Sequence, residues 1–459
     1  MQQQTRIINE KTKFKKNSKK HSKKYTSSKT LLQGGKFLGR GSFGCVVAPY
    51  IPCSKTYKLS NTKKHLLTDS HEDSNKISKI IIEPDKDVFD EIKISNELRK
   101  IDKQQKHFIT FDESCRLTKI PSNRKNTVSG YYSGRNTNKS INTFNPIEHK
   151  QIDRKFCPID LRLKPINLIM EHGGYSLFDM LTRNTKESHS IMSLVFTNFK
   201  SCFRNLLTGL YKMHQIRIVN RDIKTENIMV NYNPHNPRNP RNHMNSFIDM
   251  RFIDFGLSTN ITDSLASKIE TKHKQTHNTY TTYNNITLEG TEDLLAPEVI
   301  ISALINEYYN INKQTLLYKV QYYIKGRVKK MLISLNETTI AYKLENTIAI
   351  LFNKIYNEFV SNTITNKFFG TTIDRLNGYL QKGDIYSLGI TIYEFLELYN
   401  KEHNNQYDDV RNGKFRNSNI KNIIVKKDLK LHNLLIHMIE PNPDLRYNVL
   451  ECLRDPYFQ

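Results

Sequence analysis

Two short segments in the middle of the chain place acids, a lysine and an amide at a spacing suited to phosphoryl transfer. They are VNRDIKTEN at 219–227 and DFG at 254–256. Asp222 can accept a hydrogen bond from a substrate hydroxyl and orient its oxygen, while Lys224 can stabilise charge on a transferred phosphoryl group. The side-chain oxygens of Asn227 and Asp254 suit Mg²⁺, a hard cation. Either segment alone occurs by chance, but together they predict a phosphate-handling site.

A glycine-rich segment near the start of the chain is a candidate phosphate cradle for ATP. Its members are Gly39, Arg40, Gly41, Ser42, Phe43, Gly44, Cys45 and Val46. Glycines let the backbone approach phosphates closely, and Val46 would pack on the adenine. More strand-forming sequence follows, and not a helix, which disfavours a dinucleotide-binding fold. Taken alone, the segment could equally be a glycine-rich hairpin without a ligand.

A lysine in an extended segment could direct a cation at the nucleotide. Lys79 lies in the apolar segment ISKIII at 77–82. A single lysine in a strand is usually just solvated. Lys79 therefore indicates a functional site only if an acid elsewhere in the chain pairs with it. We expect that acid to be Glu97, which shares a helical face with Ile94 and Leu98. Glu91 lies on nearly the same face and remains an alternative.

The elements that would carry these residues form a strand-rich first part and a helical second part. We expect a basic tail at 1–30, a first lobe over 31–172 and a second lobe over 173–459. Polar insertions are expected near 52–75 and 114–160, where Asn, Ser, Lys and Arg dominate. A further insertion near 303–378 repeats apolar residues at helical spacing and is expected to be helical.

With these segments in order, the chain resembles the eukaryotic-type protein kinases, and in particular those that phosphorylate serine and threonine. LLTGLYKMHQIRIVNRDIKTENIMV resembles the family's helix and catalytic loop, and GTEDLLAPE at 290–298 resembles the end of its activation segment. The resemblance implies an α+β bilobal fold with a β-rich N-lobe, a mainly helical C-lobe and large insertions. Such insertions in an AT-biased sequence resemble kinases of large DNA viruses or protists.

The resemblance also implies roles for residues outside the two central segments. Met170 would be the gatekeeper, and the backbones of Glu171 and Gly173 would meet the adenine edge. Asp384, in GDIYSLGITIYEFLEL, would brace the catalytic loop. Arg446 would form a buried ion pair with Glu298.

Activity, cofactors and substrates follow from the same resemblance. It implies ATP- and Mg²⁺-dependent phosphorylation of protein substrates, with Lys224 and Thr291 indicating serine or threonine acceptors. Asn220 departs from the family, which has histidine at that position. The alternative to an active enzyme is a pseudokinase scaffold, which keeps the fold without turnover.

The charge and the cysteine content predict possible binding partners and the cellular compartment. The net charge is +25, and residues 1–30 hold nine lysines and one arginine against a single acid. Such a run could bind nucleic acid or an acidic surface, or could be only a solubilising tail. The six cysteines suit neither a zinc site nor a disulfide framework, and no apolar stretch is long enough to span a membrane. We expect an intracellular protein, in the cytoplasm or nucleus, or in a virion.

Overall fold

The computed structural model describes residues 36–40, 44–48, 50–53, 76–117, 161–182, 185–233, 247–261, 291, 294–308, 311–324, 338–365, 371–400 and 428–459. Within them, the chain forms a strand-rich N-terminal lobe followed by a mainly helical C-terminal lobe. The α+β fold class expected from the sequence is therefore confirmed. The basic tail at 1–30 and most of the two polar insertions lie outside the described residues.

The N-terminal lobe is built on a five-stranded antiparallel sheet with the order β1-β2-β3-β5-β4. Its strands are β1 Lys36–Arg40, β2 Gly44–Ala48, β3 Lys76–Ile81, β4 Phe111–Arg116 and β5 Ile166–Glu171. β-branched and aromatic residues suit a half-buried pleated surface, which explains why the largely apolar runs of β2, β3 and β5 become strands. The sheet supplies the fixed frame on which Lys79 is held.

One helix, α1 (Lys86–Ile101), covers one face of this sheet. It begins at Asp85, whose carboxylate accepts hydrogen bonds from the backbone N–H groups of Asp87 and Val88. Val88 and Ile92 pack with apolar residues of β3, β4 and β5. Capping and packing together fix the rotation of α1, and with it the acid that α1 turns toward β3.

After β2 the chain crosses the sheet face opposite α1, and residues 50–53 of this crossing are called the strap here. The Ile51 N–H donates to Ser78 Oγ on β3 at 2.8 Å, and its carbonyl accepts from Asn167 Nδ2 on β5 at 2.7 Å. A disulfide joins Cys53 to Cys115 on β4. The strap is therefore held to three neighbouring strands.

Two expectations from the sequence need correction in this region. The cysteines do form a disulfide, because the strap brings together two residues 62 positions apart, and Cys45 is disulfide-bonded as well. The polar insertion expected from residue 114 begins later, since Ser114 and Cys115 are buried members of β4. Their polarity had suggested a loop, but both residues pair with β5, and Cys115 is bonded to the strap.

Helices dominate the C-terminal lobe. They are α2 Leu177–Thr182, α3 Lys186–Thr197, α4 Phe199–Gln215, α5 Pro297–Glu307, α6 Lys313–Ile324, α7 Thr338–Thr365, α8 Thr371–Asn400, α9 Leu429–Met438 and α10 Val449–Arg454. The buried residues of α4 and α8 lie in one core cluster with those of the other helices. None of the helices in the described ranges has the length and apolar character needed to cross a membrane.

Short strands at the junction of the lobes carry the candidate site. Strands β6 (Tyr175–Ser176), β8 (Ile228–Asn233) and β9 (Phe247–Phe252) form one small sheet. β7 (Ile218–Val219) pairs with β10 (Thr259–Asn260). The loops that follow β7 and β9 are the two segments singled out in the sequence, and these small sheets place them side by side.

The described part of the insertion near 303–378 is helical. Leu316 and Val320 of α6 are buried in the same cluster as Ile348 and Phe352 of α7. On α7, Lys354 forms an ion pair with Asp444, with 2.6 Å between Nζ and Oδ2. The inserted helices are therefore packed into the lobe.

Candidate active site

The loop after β7 is held in place by one buried carboxylate from α8. Asp384 Oδ2 accepts from the Asn220 N–H at 2.8 Å, and Oδ1 accepts from the Arg221 N–H at 2.9 Å. His214, near the end of α4, places its Nε2 atom 3.0 Å from Asp384 Oδ2. Both carboxylate oxygens are thus used to fix the loop backbone immediately before Asp222. This contact is the bracing expected of Asp384.

Asp222 stands at the centre of a polar group. Its Oδ2 atom accepts from Lys224 Nζ at 2.7 Å and from Asn227 Nδ2 at 2.8 Å. Its Oδ1 atom accepts from Thr291 Oγ1 at 3.5 Å, a long and weak hydrogen bond. Burial raises the pKa of Asp222, and the nearby Lys224 ammonium offsets part of that rise.

Lys79 lies between two carboxylates that come from different parts of the chain. Its Nζ atom is 2.8 Å from Glu91 Oε1 on α1 and 3.0 Å from Asp254 Oδ1 in the loop after β9. Burial alone would lower the pKa of Lys79, but the charges of Asp254 and Glu91 outweigh burial and raise it. Burial also opposes ionisation of Asp254, yet the Lys79 ammonium holds the pKa of that carboxyl below its usual value.

The expected pairing of Lys79 with Glu97 is wrong. Glu97 lies on the exposed side of α1, where its Oε1 atom is 2.6 Å from Lys100 Nζ. Glu91 is buried and contacts Lys79, so the alternative is the observed partner. Glu91 and Glu97 are six residues apart, which is well over one and a half helical turns, so the two acids cannot share a face fully.

The side-chain oxygens of Asn227 and Asp254 are the expected ligands of Mg²⁺. Within the described ranges, no group of three or more His, Cys, Asp and Glu side chains could hold a metal ion. Mg²⁺ usually takes only one or two carboxylates and draws its other ligands from phosphates and water. Asp254 is half-exposed, and Asn227 spends its amide nitrogen on Asp222, which leaves its amide oxygen suited to a cation. The donor set therefore fits Mg²⁺ that arrives with a nucleotide.

The glycine-rich segment forms a hairpin beside Lys79. Gly39 and Arg40 on β1 pair with Val46 and Cys45 on β2. Val46 in turn pairs with Lys79 on β3, so the two residues lie on one face of the sheet. Gly41, Ser42 and Phe43 lie outside the described residues. The hairpin therefore places the expected adenine contact next to the candidate phosphate-binding lysine.

Close packing between neighbouring strands also explains the glycine at position 44. A Cβ atom at this position would overlap the carbonyl oxygen of Ile80 on the neighbouring strand. Close approach of β3 therefore requires glycine there, independently of any phosphate.

Strand β5 leads into the segment that joins the lobes. Met170 is half-buried at the end of β5 and pairs with Ile77 and Phe111. A Cβ at Gly173 would overlap Ile109 Cδ1, so close packing explains that glycine. The sequence resemblance assigned adenine contacts to the backbones of Glu171 and Gly173, and these remain predictions.

Sequence reasoning missed a buried arginine behind this joining segment. Arg251 on β9 donates to both carboxylate oxygens of Glu171, at 3.1 and 3.2 Å, and to the Gln105 carbonyl at 3.2 Å. Burial raises the pKa of the neighbouring Asp249 to about 6, although Arg251 acts against the rise. The signal in the sequence is a pair of charges in an otherwise apolar strand, FIDMRF.

Comparison with known proteins agrees with this geometry. The family model described as the protein kinase domain matches residues 122–314. The chain is 25% identical to a probable protein kinase of Dictyostelium discoideum in an alignment of 301 positions that covers 62% of this chain. The chain spans 26% of the length of that relative. By these matches the chain is similar to the protein kinase domain, and its strand-rich region followed by helices has the α+β composition of that bilobal fold.

Proposed function

We propose that the protein transfers the γ-phosphoryl group of ATP, with Mg²⁺, to serine or threonine hydroxyls of protein substrates. The observation that carries the proposal is the arrangement around Asp222. Lys224 and Asn227 hold one carboxylate oxygen, while among the described residues the other has only a long contact with Thr291. That second oxygen is the atom we assign to accept the hydrogen bond of the substrate hydroxyl.

The same residues divide the remaining work of phosphoryl transfer. Lys79, fixed by Glu91, would contact the α- and β-phosphates, and Lys224 would stabilise charge on the transferred group. Asn227 and Asp254 would hold Mg²⁺, which neutralises phosphate charge when it is bound. Little covalent chemistry is required of the protein, so positioning and electrostatics supply most of the catalysis.

A protein acceptor is supported by the segment that precedes α5. Glu298, at the start of α5, receives both terminal nitrogens of Arg446 in a buried ion pair. Leu294 is fixed through its carbonyl, which accepts from Ser387 Oγ at 2.7 Å. These contacts anchor the buried residues 294–298 to the C-terminal lobe. The anchored segment follows Thr291, which contacts Asp222, so it could fix the part of the chain that borders a bound peptide.

The test is a phosphate-transfer assay on the full chain with ATP and Mg²⁺. A peptide library with a single serine, threonine or tyrosine acceptor reports the acceptor class by mass spectrometry. We expect serine or threonine phosphorylation that Asp222→Asn and Asp254→Ala abolish. The control Asp428→Asn removes a carboxylate at the start of α9, where asparagine caps a helix equally well, and should keep full turnover.

Two results would overturn parts of the proposal. Tyrosine phosphorylation would overturn the acceptor class while leaving the kinase activity intact. ATP binding without any transfer, by a folded chain, would identify a pseudokinase scaffold.

The charge of the basic tail supports a second proposal, which concerns binding and not catalysis. We propose that residues 1–30 add an electrostatic contact to nucleic acid or another acidic surface. Removing these residues should abolish salt-sensitive binding to nucleic acid and other polyanions. Phosphate transfer to peptides should be unchanged. Equal binding with and without the tail would refute this role.

A further inference from the structure

Asn220 occupies a central position in the loop before Asp222. The residue is buried, and three of its atoms are engaged. Its N–H donates to Asp384 Oδ2, and its carbonyl accepts from Ser258 Oγ at 3.2 Å. Its side-chain Oδ1 accepts from the N–H of Asp222 at 3.0 Å. Asn220 thereby links three parts of the site, which are Asp384 on α8, Ser258 after the loop that carries Asp254, and Asp222 itself.

The side-chain contact closes a small ring around Arg221. An asparagine oxygen that accepts from the N–H two residues later forms an Asx turn, which replaces a backbone turn. The enclosed residue, Arg221, has φ of 67°, a left-handed conformation that is costly for a side chain other than glycine. The Asx turn stabilises this conformation from one side, and Asp384 holds the Arg221 N–H from the other.

We infer that Asn220 is a positioning residue for Asp222. This inference rests on the proposed function, since Asp222 is there the group that orients the substrate hydroxyl. The contact with the Asp222 N–H fixes the backbone from which the carboxylate projects, and Asn220 itself touches no substrate. Its loss would let Arg221 relax from the left-handed region and would move Asp222 away from its contacts with Lys224 and Asn227.

The chemistry of residue 220 defines what can replace asparagine. A hydroxyl at this position can also accept from the N–H two residues later, as serine does in turns. Alanine provides no acceptor and leaves the buried Asp222 N–H without a side-chain partner. Serine and alanine are close in size, so a comparison between them separates the hydrogen bond from packing.

A second asparagine offers a matched control. Asn448 Oδ1 accepts from the Leu450 N–H at 2.9 Å, which is the same two-residue turn, but it lies at the start of α10 away from Asp222. Asn448→Ala removes this hydrogen bond and a second one, which the Glu451 N–H donates at 3.0 Å, from the exposed start of α10. It should lower stability while leaving kcat unchanged.

The experiment measures kcat and the KM for ATP of Asn220→Ala, Asn220→Ser and Asn448→Ala, beside wild type. We expect Asn220→Ala to lower kcat by about tenfold or more with little change in the KM for ATP. Asn220→Ser should stay within about threefold of the wild-type kcat. Unchanged kcat in Asn220→Ala, or equal losses in the alanine and serine variants, would overturn the inference.

Hydrogen–deuterium exchange gives a readout that does not need activity. The amide of Asp222 should exchange faster in Asn220→Ala than in wild type, and Asn220→Ser should restore protection. If the wild-type chain transfers no phosphate, the proposed function fails while this comparison still tests the contact. Equal exchange in all three proteins would show that Asn220 does not hold Asp222.

Discussion

Lys79 Nζ lies 2.8 Å from Glu91 Oε1, and this contact joins the sheet of the N-terminal lobe to α1. The same nitrogen contacts Asp254, which comes from the loop after β9. Three separate segments therefore converge on one ammonium group. A change in the position of α1 would alter the contacts of Lys79 and, through them, the placement of Asp254.

The first prediction concerns which acid supports Lys79. Glu91→Gln should lower kcat/KM by tenfold to a thousandfold, about 1.4–4 kcal/mol of transition-state stabilisation, because Lys79 loses its charged partner on α1. Glu97→Gln changes the same residue type on the same helix and should have little effect, since Glu97 is exposed and contacts Lys100. Steady-state kinetics of the two variants decide the matter. A larger loss in Glu97→Gln would contradict the observed pairing.

The pairing acid illustrates where sequence reasoning reached its limit. The order of the motifs sufficed to predict two lobes and to single out Asp222, Lys224, Asn227 and Asp254 as candidates, because each motif is local. Choosing between Glu91 and Glu97 required the rotation of α1 about its axis. That rotation depends on the Asp85 cap and on packing against the sheet, neither of which the apolar repeat alone determines.

Contacts between segments that are far apart in the sequence could not be predicted from it either. Cys53 and Cys115 are far apart in sequence, and only the strap brings them together. Arg251 and Glu171 meet because β9 passes behind the segment that joins the lobes. Neither pair has a local pattern, so no spacing rule could have found them.

A second prediction concerns the pH dependence of stability at Asp249. Burial raises the pKa of this carboxyl from 3.8 to about 6 in the folded protein. The folded state therefore binds its proton more tightly than the unfolded chain does, and the stability contributed by Asp249 falls as the pH rises from about 4 to about 6. Asp249→Asn removes this loss and should raise the free energy of unfolding at pH 7 by up to about 3 kcal/mol.

Thermal melts at pH 4 and pH 7 test the prediction for Asp249. The gain in melting temperature of Asp249→Asn should be present at pH 7 and small at pH 4. Asp90→Asn alters an exposed aspartate of α1 and should not raise the melting temperature at pH 7. If Asp249→Asn is instead less stable than wild type at pH 7, the prediction is wrong. The attraction between the Asp249 carboxylate and Arg251 then stabilises the fold by more than the burial of that carboxylate costs.

The third prediction concerns the buried ion pair between Arg446 and Glu298. Arg446 uses its five N–H donors on Glu298 and on the carbonyls of Glu440, Lys382 and Pro441. Arg446→Met should destabilise the fold by about 3–5 kcal/mol, because it leaves a buried carboxylate unpaired.

Urea unfolding of three variants separates charge from geometry at this pair. Arg446→Lys keeps the charge but not the planar fork, so it should still cost about 2 kcal/mol or more. Lys100→Ala breaks the exposed pair with Glu97 and should cost less than about 1 kcal/mol. Similar losses in the methionine variant and in Lys100→Ala would show that Arg446 contributes little to the fold.

The last prediction concerns the strap and its disulfide. The bond between Cys53 and Cys115 closes a loop of 62 residues, which the chain-entropy relation equates with about 4 kcal/mol of stabilisation against the unfolded chain. Cys53→Ser should therefore lower the melting temperature, and Cys115→Ser should lower it by a similar amount. Combining the two substitutions should cost little more than either one, because both remove the same bond.

The matched control for the strap keeps the thiols and removes a hydrogen bond. Ser78→Ala deletes the acceptor of the Ile51 N–H, so it should destabilise the strap under both oxidising and reducing conditions. Cys53→Ser should instead respond less to a dithiol reductant than wild type does, because only the disulfide of Cys45 is left to reduce. The cysteines are counted by alkylation of the unfolded protein without reductant and then with it. If all six react before reduction, the disulfide does not form in solution, and the hydrogen bonds to Ser78 and Asn167 hold the strap without it.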